Sequence, residues 1–394
     1  METQVKSSAT ADGLRDRALG ALMGAFIGDA LGVGPHWYYD LDQMVADYGP
    51  WIDSYTRPKP GRYHEGVEPG QPSQSGILLE MTLRSLVDCG GYDETDFCRR
   101  LDAELFPQLD GTSMNGPGGY TSQSIRDAWR NRFQEGLDWG KFGSDVDNTE
   151  AAERIIAIAV RYALNPAKLA WAVTANTALT QTNGNVLTTT TTYGAVLGML
   201  VEGHQLDTDI SDKLMERIKA DTRISRFNSS VQPLHAAAQG RVEAEKNTDC
   251  VPCMEAFFSS HDALVTPSGV VRAAHDSAIR IEPASKVSVL YGLPCAVHHQ
   301  FPAAYYLTAR FPDDFESAVL HALNGGGQNQ ARAMLTGALS GAMVGLSGIP
   351  RRFIDGLERA EVLLALAERL VDDMQSQAQR NYSHGYFIDE RRCP

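Results

Sequence analysis

The chain has 394 residues, of which 43% are hydrophobic and 21% are charged, a composition typical of a soluble globular protein. Its formal net charge of −14 disfavours general binding to nucleic acids or to anionic membranes, because both favour basic surfaces. We therefore expect neither a nucleic-acid partner nor a membrane partner.

The beginning of the chain is polar and lacks the apolar segment of a secretory signal. The most apolar stretch, residues 18–33, is shorter than the ~20 residues that span a bilayer, and it contains Asp29. We expect a cytoplasmic protein with a single domain over residues 12–379, flanked by tails at 1–11 and 380–394. Its oligomeric state does not follow from the sequence.

Six cysteines are scattered along the chain, which does not indicate a disulfide framework. Cys250 and Cys253 form a lone CxxC pair. A zinc site requires a second pair of ligands at suitable spacing, and none stands out. We therefore interpret the pair as reduced cysteines and not as a metal or redox site.

Helical patterns follow one another along the chain. The apolar segment 18–32 predicts a buried helix, and 76–87 predicts another. Residues 147–150 resemble a capping box that opens an apolar run, which ends at Asn165-Pro166. Further predicted helices cover 167–180, 186–202, 209–224, 231–245, 302–311, 313–323, 331–346 and 358–377. Strand patterns are nearly absent, so we predict an all-α fold, a single compact multi-helix bundle. Residues 50–75 are predicted to form a long ordered loop.

Glycines recur every four residues in two of these helices. Gly20, Gly24, Gly28 and Gly32 follow this spacing near the beginning, and Gly337, Gly341 and Gly345 repeat it near the end. Each glycine costs about 1 kcal/mol relative to alanine inside a helix, so the pattern indicates close helix contact. We expect the two ends of the chain to pack together in one central bundle.

Four polar turns interrupt the apolar helices. They are Gly28 to Asp40, Gly70 to Gly76, Thr180 to Asn185, and Asn324 to Gln330. The last begins with three glycines and continues with three consecutive amides. Such a turn before a helix presents backbone N–H groups suited to a phosphate or a carboxylate. We therefore expect the four turns to form a polar ligand site.

The order of these motifs resembles the ADP-ribosylglycohydrolase family from about residue 17 to 350. The similarity rests on GALMGAFIGDALG at 20–32, the glycine loop at 115–119, Asn324-Gly325-Gly326-Gly327, GALSGAMVG, and the closing Ile349-Pro350. The motif His36-Trp37-x-Tyr39-Asp40 is similar to a divergent branch that includes the jellyfish J-crystallins. The resemblance implies an all-α bundle with an active site in a cleft among the polar turns.

Typical members of that family hold two magnesium or manganese ions through a Thr-Asp-Asp-Thr turn and an Asp-x-Asp turn. Here the first aligns with Ser73-Gln74-Ser75-Gly76 and the second with Gln328-Asn329-Gln330. The family's His-x-Asp motif aligns with Gln181-Thr182-Asn183. Mg²⁺ normally requires carboxylates, and two divalent ions repel each other strongly without them. We expect no cofactor and no two-metal centre, although one weakly held ion stays compatible with Asp29, Asp40 or Asp145.

Candidate catalytic residues are Asp29, His36 and Asp147. Asp29 is an isolated charge in an apolar helix, which predicts a raised pKa; its alternative role is to cap neighbouring backbone. His36, beside Trp37, is a candidate for titration near neutrality. Asp147 has the capping box as its alternative role. Cys295 with His298 or His299 is a second candidate cluster.

The ligand-binding set combines amides, hydroxyls, backbone groups and aromatic rings, which suit a polar ligand with a planar ring. It comprises Trp37, Tyr38, Ser73, Gln74, Ser75, Asn115, Gly116, Tyr120, Gln181, Asn183, Gly326, Gly327, Gln328, Asn329 and Gln330. The alternative is that these side chains only cap helices.

The resemblance supports a hydrolase that acts on an N- or O-glycosidic bond of a ribosyl or ADP-ribose-related small molecule. Two alternatives stay open. One is a catalytically silent ligand-binding or crystallin-like protein, which the combined loss of the acidic metal positions favours. The other is a different small-molecule hydrolase that uses the same cleft with new acid and base groups.

Overall fold

Helices form the regular structure of the chain in the computed structural model, which describes residues 11–221, 223–224, 258 and 260–383. This part contains isolated β-bridges but no strand, so the all-α prediction is confirmed. The α-helices are α1 (Ala11–Val33), α2 (Leu41–Tyr48), α3 (Gln74–Asp88), α4 (Glu94–Arg100), α5 (Gln123–Trp129), α6 (Glu150–Arg154), α7 (Ile156–Arg161), α8 (Pro166–Ala178), α9 (Gly184–Glu202), α10 (Ile210–Ala220), α11 (His261–His275), α12 (Val287–Tyr291), α13 (Val297–Arg310), α14 (Phe315–Leu323), α15 (Asn329–Val344), α16 (Arg351–Asp355) and α17 (Ala360–Ser383).

Helices α1 and α15 form the centre of the bundle and touch through their glycines. A Cβ atom on Gly24 would collide with the carbonyl oxygen of Gly337, and one on Gly20 would collide with that of Gly341. The collisions are reciprocal, since a Cβ on Gly337 or Gly341 would strike the backbone of α1. The predicted contact between the two ends of the chain is confirmed, and it explains why alanine does not occupy these positions.

The prediction of a capping box at residues 147–150 was wrong, because the required side-chain cap hydrogen bond is not made. Helix α6 begins at Glu150 after Thr149, whose side chain makes no cap hydrogen bond to the backbone. The Thr149 hydroxyl donates instead to the Glu153 carboxylate, at 2.6 Å. The apolar run after it is also not one helix, because the backbone turns at Ile155 between α6 and α7.

Helix α13 begins at Val297, five residues before the predicted start at Pro302. Pro302 lies inside this helix, where a proline removes one backbone hydrogen bond and crowds the carbonyl of the preceding turn; it disfavours a helix but does not always end one. The predicted helix at 231–245, the Cys250–Cys253 pair and most of both predicted tails lie outside the described residues. None of the helices in the described part is long and apolar enough to cross a bilayer.

The loop between α2 and α3 lies over the last polar turn, as the prediction of a long ordered loop requires. Asn324 fixes it by accepting from the Ile52 N–H and donating to the Ile52 carbonyl, both at 2.8 Å. The Tyr55 hydroxyl donates to the Phe353 carbonyl at 2.7 Å. These contacts tie the loop to the first residue of the last polar turn and to α16.

Candidate functional site

Isolated β-bridges bring the polar turns together. Tyr38 pairs with Gly327 through hydrogen bonds of 2.7 and 3.1 Å that the backbone of Gly327 makes to Tyr38 and Trp37. Ser144 pairs with Gln181, and Asn148 pairs with Ala296. The turns after α1 and before α15 are thus joined directly, and the segment before α6 links the ends of α8 and α12 to the same region.

Asp29 lies at the centre of this region and is fully buried. Its carboxylate accepts hydrogen bonds from the Ser73 N–H at 3.0 Å, the Ser73 hydroxyl at 2.5 Å and the Gln330 amide at 2.7 Å. The backbone N–H of Gly76 adds a further favourable interaction. Burial raises the pKa of Asp29 to about 6, and these donors oppose the rise. Asp29 therefore holds the first turn of α3 in place.

Glu153 is the second buried carboxyl group of the site, and the sequence analysis missed it. It accepts from the Thr149 hydroxyl at 2.6 Å and from the Gln330 amide at 3.3 Å, and it interacts with the Ser75 hydroxyl. Burial, and to a lesser degree the charge of Asp29, raises the pKa of Glu153 to about 8. One signal was present in the sequence: within the apolar segment 151–160 the charged residues are Glu153 and its neighbour Arg154.

The side-chain amide of Gln330 lies between these two carboxyl groups. The same nitrogen, Nε2, is 2.7 Å from Asp29 and 3.3 Å from Glu153. The two nearby buried arginines have other partners. Arg154 forms an ion pair with Glu150, and Arg332 donates to the Ala322 and Gly326 carbonyls. A neutral amide thus occupies the place between two acids where a cation is commonly found.

The donor set does not fit the two metal ions that the resemblance implies. Two Mg²⁺ ions side by side require several carboxylates among their oxygen ligands, because each ion normally takes one or two. The carboxylates here are Asp29 and Glu153, and an N–H donor faces both. Among the described residues, no group of three or more histidine, cysteine, aspartate or glutamate side chains is placed to hold an ion.

Other amides of the predicted ligand set are bound within the protein. Gln74 donates to Thr121 at 3.2 Å and accepts from the Ser122 N–H at 3.1 Å. Gln181 donates to the Val146 and Asn148 carbonyls at 3.0 and 2.9 Å and accepts from Ala151 at 3.0 Å. These two amides hold the turns around the site together.

Asn183 and Asn115 are also hydrogen-bonded within the protein. Asn183 is the N-cap of α9 and accepts from the N–H groups of Asn185 and Val186 at 3.0 and 3.3 Å. Asn115 is exposed and donates to Asp110 at 3.0 Å. The next residue, Gly116, has φ 127°, a conformation that favours glycine and shapes the loop. Asn115 therefore serves a local turn, whereas Asn183 also donates to the Asp145 carbonyl and carboxylate at 3.1 and 3.2 Å and ties the start of α9 to the segment before α6.

The glycine turn before α15 does not present all of its N–H groups to a ligand. The N–H of Gly327 donates to the Tyr38 carbonyl at 2.7 Å, and that of Gln328 donates to the Leu293 carbonyl at 2.8 Å. Gly326 and Gly327 have φ of 68° and 59°, so the turn requires glycine at these positions. The turn mainly joins three segments of the chain.

His36 belongs to a chain of buried polar groups. Its Nδ1 atom is 2.5 Å from Nε2 of His64, and its Nε2 atom is 3.1 Å from the Gln328 side chain. His64 Nδ1 donates to the Gly118 carbonyl. Burial lowers the pKa of His64 to about 4 and that of His36 well below its usual value. Both rings are therefore neutral near pH 7, unlike the predicted titration of His36 near neutrality.

Asn329 is fully buried beside this chain of groups. Its amide nitrogen donates to the Pro35 and Leu323 carbonyls, both at 3.0 Å. Its side-chain oxygen has no hydrogen-bond partner among the described residues. Asn329 thus differs from Gln330, whose polar contacts are made to the two acids.

The predicted aromatic residues separate into two groups. The rings of Trp37 and Tyr120 lie 5.0 Å apart, and each lies about the same distance from Tyr63, which the prediction lacked. Tyr38 is buried and directs its hydroxyl to Asp47 at 2.6 Å. Tyr38 therefore belongs to the packing around α2, whereas Trp37 and Tyr120 are half-buried and form part of the aromatic cluster.

Asp147 lies at an exposed edge, with 53% of its side chain accessible, 3.9 Å from Nδ1 of the exposed His298. Cys295 is near it, and burial, followed by the charge of Asp147, raises the pKa of the thiol. His299 donates to the Tyr291 carbonyl. A raised thiol pKa disfavours the thiolate that a Cys–His nucleophile requires.

Comparisons with known proteins agree with this architecture. A solved structure described as an "ADP-ribosylglycohydrolase-related protein complex" superposes with a TM-score of 0.58 at 19% identity, covering 92% of this chain and 99% of that chain. At this identity the similarity shows the fold alone. No curated protein matches the chain. The sequence profile of the ADP-ribosylglycohydrolase family matches residues 10–380, so the chain belongs to the ADP-ribosylglycohydrolase family.

Proposed function

We propose that this protein is a glycosidase-type hydrolase that acts on an N- or O-glycosidic bond of a ribosyl or ADP-ribose-related small molecule without a two-metal centre. One observation carries the proposal: the Gln330 amide lies between the buried acids Asp29 and Glu153. Two buried carboxyl groups thus lie in the region where the family pattern implies metal ions, and we propose that they serve as acid–base groups. Pairs of carboxyl groups in different environments are the usual catalytic groups of metal-free glycoside hydrolysis.

The surroundings of the pair suit this chemistry. Asp29 and Glu153 are buried, while Ser75 beside Glu153 is half-exposed. The half-buried rings of Trp37 and Tyr120 supply apolar surface for a planar ring of a ligand. We propose a small-molecule substrate, no nucleic-acid or membrane partner, and a cytoplasmic location.

A second candidate function is a catalytically silent binding or structural protein. The observation that favours it is that Gln74, Gln181 and Asn183 are held by hydrogen bonds within the protein. A side chain that already holds two turns together contributes little to ligand recognition. The two candidates differ in whether a ribosyl ligand is bound and cleaved.

Calorimetric titration of metal-stripped protein with ADP-ribose, with and without Mg²⁺, tests the proposal. Binding that is equal in both conditions, together with release of ADP-ribose from glycosidic derivatives in the presence of chelator, is the expected result. Binding that requires Mg²⁺ would contradict the metal-free site. Metal-independent binding without cleavage would favour the silent protein, and no binding in either condition would exclude ADP-ribose as the ligand.

A further inference from the structure

Two acids share one amide at the centre of the site, and their other partners differ in kind. Three of the groups that face Asp29 are N–H donors, those of Ser73, Gly76 and Gln330. An N–H group can donate but cannot accept, so each favours the ionised carboxylate. Asp29 is therefore the member of the pair that carries the negative charge.

The partners of Glu153 are mainly hydroxyl groups, those of Thr149 and Ser75. Both hydroxyls donate to Glu153 here, but unlike an N–H group a hydroxyl can also accept a hydrogen bond, so it can turn to face a protonated carboxyl group. The Gln330 amide is farther from Glu153 than from Asp29, at 3.3 against 2.7 Å. Of the two buried arginines nearby in the described part of the chain, Arg154 is paired to Glu150 and Arg332 donates to backbone carbonyls, so neither pairs with Glu153. Glu153 is therefore the member that keeps its proton.

Ser75 offers this proton a route toward the protein surface. Glu153 is 2% exposed and Asp29 is fully buried, so neither can meet a ligand directly without movement. Ser75 interacts with Glu153 and is half-exposed. Its hydroxyl can accept the proton of Glu153 on one side while it donates its own on the other.

We propose that Glu153 is the acid of this site and that it delivers its proton to the leaving group through the Ser75 hydroxyl, while Asp29 is a positioning residue. This inference rests on the proposed hydrolytic function. As the glycosidic bond breaks, its electron pair stays on the leaving oxygen or nitrogen, which takes the proton of Ser75. Ser75 takes the proton of Glu153. Water adds to the anomeric carbon, and its surplus proton returns through Ser75 to the Glu153 carboxylate.

The protonation of Glu153 can be measured without any substrate. Isotope-edited infrared difference spectra of the full chain should show a protonated carboxyl band at pH 7 that disappears in Glu153→Gln and persists in Ser75→Ala. A wild-type protein without this band, or a band that survives in Glu153→Gln, would overturn the inference. This measurement is independent of the proposed function.

The catalytic step is measured with two probes in chelator-treated buffer, an ADP-ribose derivative linked to a guanidine nitrogen and one linked to a serine oxygen. Glu153→Gln and Ser75→Ala should each lower kcat by about 100-fold or more with KM little changed, the range of general acid catalysis. Glu153→Asp, which keeps the carboxyl group, should recover part of the loss. The wild-type kcat should fall as the pH rises through the pKa of Glu153.

The outcomes separate the two proposals. Unchanged kcat in Glu153→Gln would overturn the role of Glu153 and leave the hydrolytic function standing. Unchanged kcat in Ser75→Ala, with loss in Glu153→Gln, would overturn the route through Ser75. Cleavage of neither probe by the wild-type protein would overturn the proposed function and the catalytic step together, while the infrared result would still decide where the proton is held.

Discussion

The Nδ1 atom of His36 lies 2.5 Å from Nε2 of His64, so two buried imidazole rings share one hydrogen. The Gly118 carbonyl can only accept, which places a hydrogen on Nδ1 of His64 and leaves its Nε2 as the acceptor. His36 must then donate from Nδ1 and accept at Nε2. The atom of Gln328 that lies 3.1 Å from His36 Nε2 is the acceptor Oε1, so the amide must exchange its O and NH2 groups to supply that donor. The two rings connect the glycine loop to the last polar turn.

This pair should make the protein sensitive to acid. The pKa of both rings is lower in the folded protein than in the unfolded chain. Below about pH 6.5 the unfolded state therefore binds more protons, and the free energy of unfolding decreases as the pH is lowered. We expect His64→Gln to lose less stability than wild type between pH 6.5 and 4, by as much as about 3 kcal/mol for a pKa near 4. Denaturant unfolding at each pH gives the difference. The exposed His275, changed to glutamine, is the control, and equal profiles for all three proteins would contradict the buried pair.

Glu153 should make the folded protein less stable as the pH rises, whereas the histidine pair acts as the pH falls. Its folded pKa is raised to about 8, so the folded state holds a proton that the unfolded chain has lost above about pH 4.5. The contribution of this bound proton to the free energy of unfolding is complete below the unfolded pKa and is lost as the pH rises through the folded pKa. We expect Glu153→Gln to match wild type near pH 4 and to be the more stable protein at pH 9, with a higher Tm. A lower Tm than wild type at pH 9 would show that an ionised Glu153 has a stabilising partner there.

The contact between α1 and α15 predicts strong sensitivity to one methyl group. A Cβ on Gly24 would meet the Gly337 carbonyl, which belongs to a rigid helix and cannot move aside cheaply. We expect Gly24→Ala to lower the free energy of unfolding by about 2 kcal/mol or more, despite the better helix propensity of alanine. Gly269 of α11 is the matched control, since a Cβ there meets nothing within 4 Å. Gly269→Ala should be neutral or stabilising by up to about 1 kcal/mol. A stabilising Gly24→Ala would refute the close approach of the two helices.

This glycine contact was predictable because its physical cause repeats along the sequence. Glycine at every fourth position costs helix stability, and close packing is the usual compensation. The position of Asp29 was predictable for a similar reason, since a single charge in an apolar helix requires partners. Repeated or costly features of the sequence therefore located the centre of the bundle and one of its two acids.

The rest of the site depends on contacts between distant segments, which periodicity does not encode. His64 comes from a loop without a repeating pattern, and its partner His36 is 28 positions away. Gln181 was expected to face a ligand, but it binds Val146, Asn148 and Ala151. An amide can serve either purpose equally well, and the sequence shows its type but not its partners.

The place of Gln330 between the two acids leads to a prediction about metal binding. Gln330→Glu would keep the shape of the side chain but replace the amide donor with a third carboxyl group beside Asp29 and Glu153. Without metal this change should destabilise the protein by about 3–5 kcal/mol, because a buried charge loses its compensation. Three carboxylates and nearby hydroxyls are suitable ligands for a divalent ion, so Mn²⁺ should raise the Tm of the variant. The wild-type Tm should change little on addition of Mn²⁺ or of chelator.

Gln300→Glu is the matched control for this measurement. Gln300 is also buried, but its side-chain oxygen accepts from Arg332 at 3.3 Å, so a carboxylate there would face an existing cation. We expect the stability of Gln300→Glu not to depend on Mn²⁺. If Mn²⁺ raises the Tm of wild type as much as that of Gln330→Glu, an ion binds beside the amide and the metal-free proposal is wrong. If Mn²⁺ raises the Tm of Gln330→Glu alone, replacement of this one amide by a carboxyl group is sufficient to create a metal site.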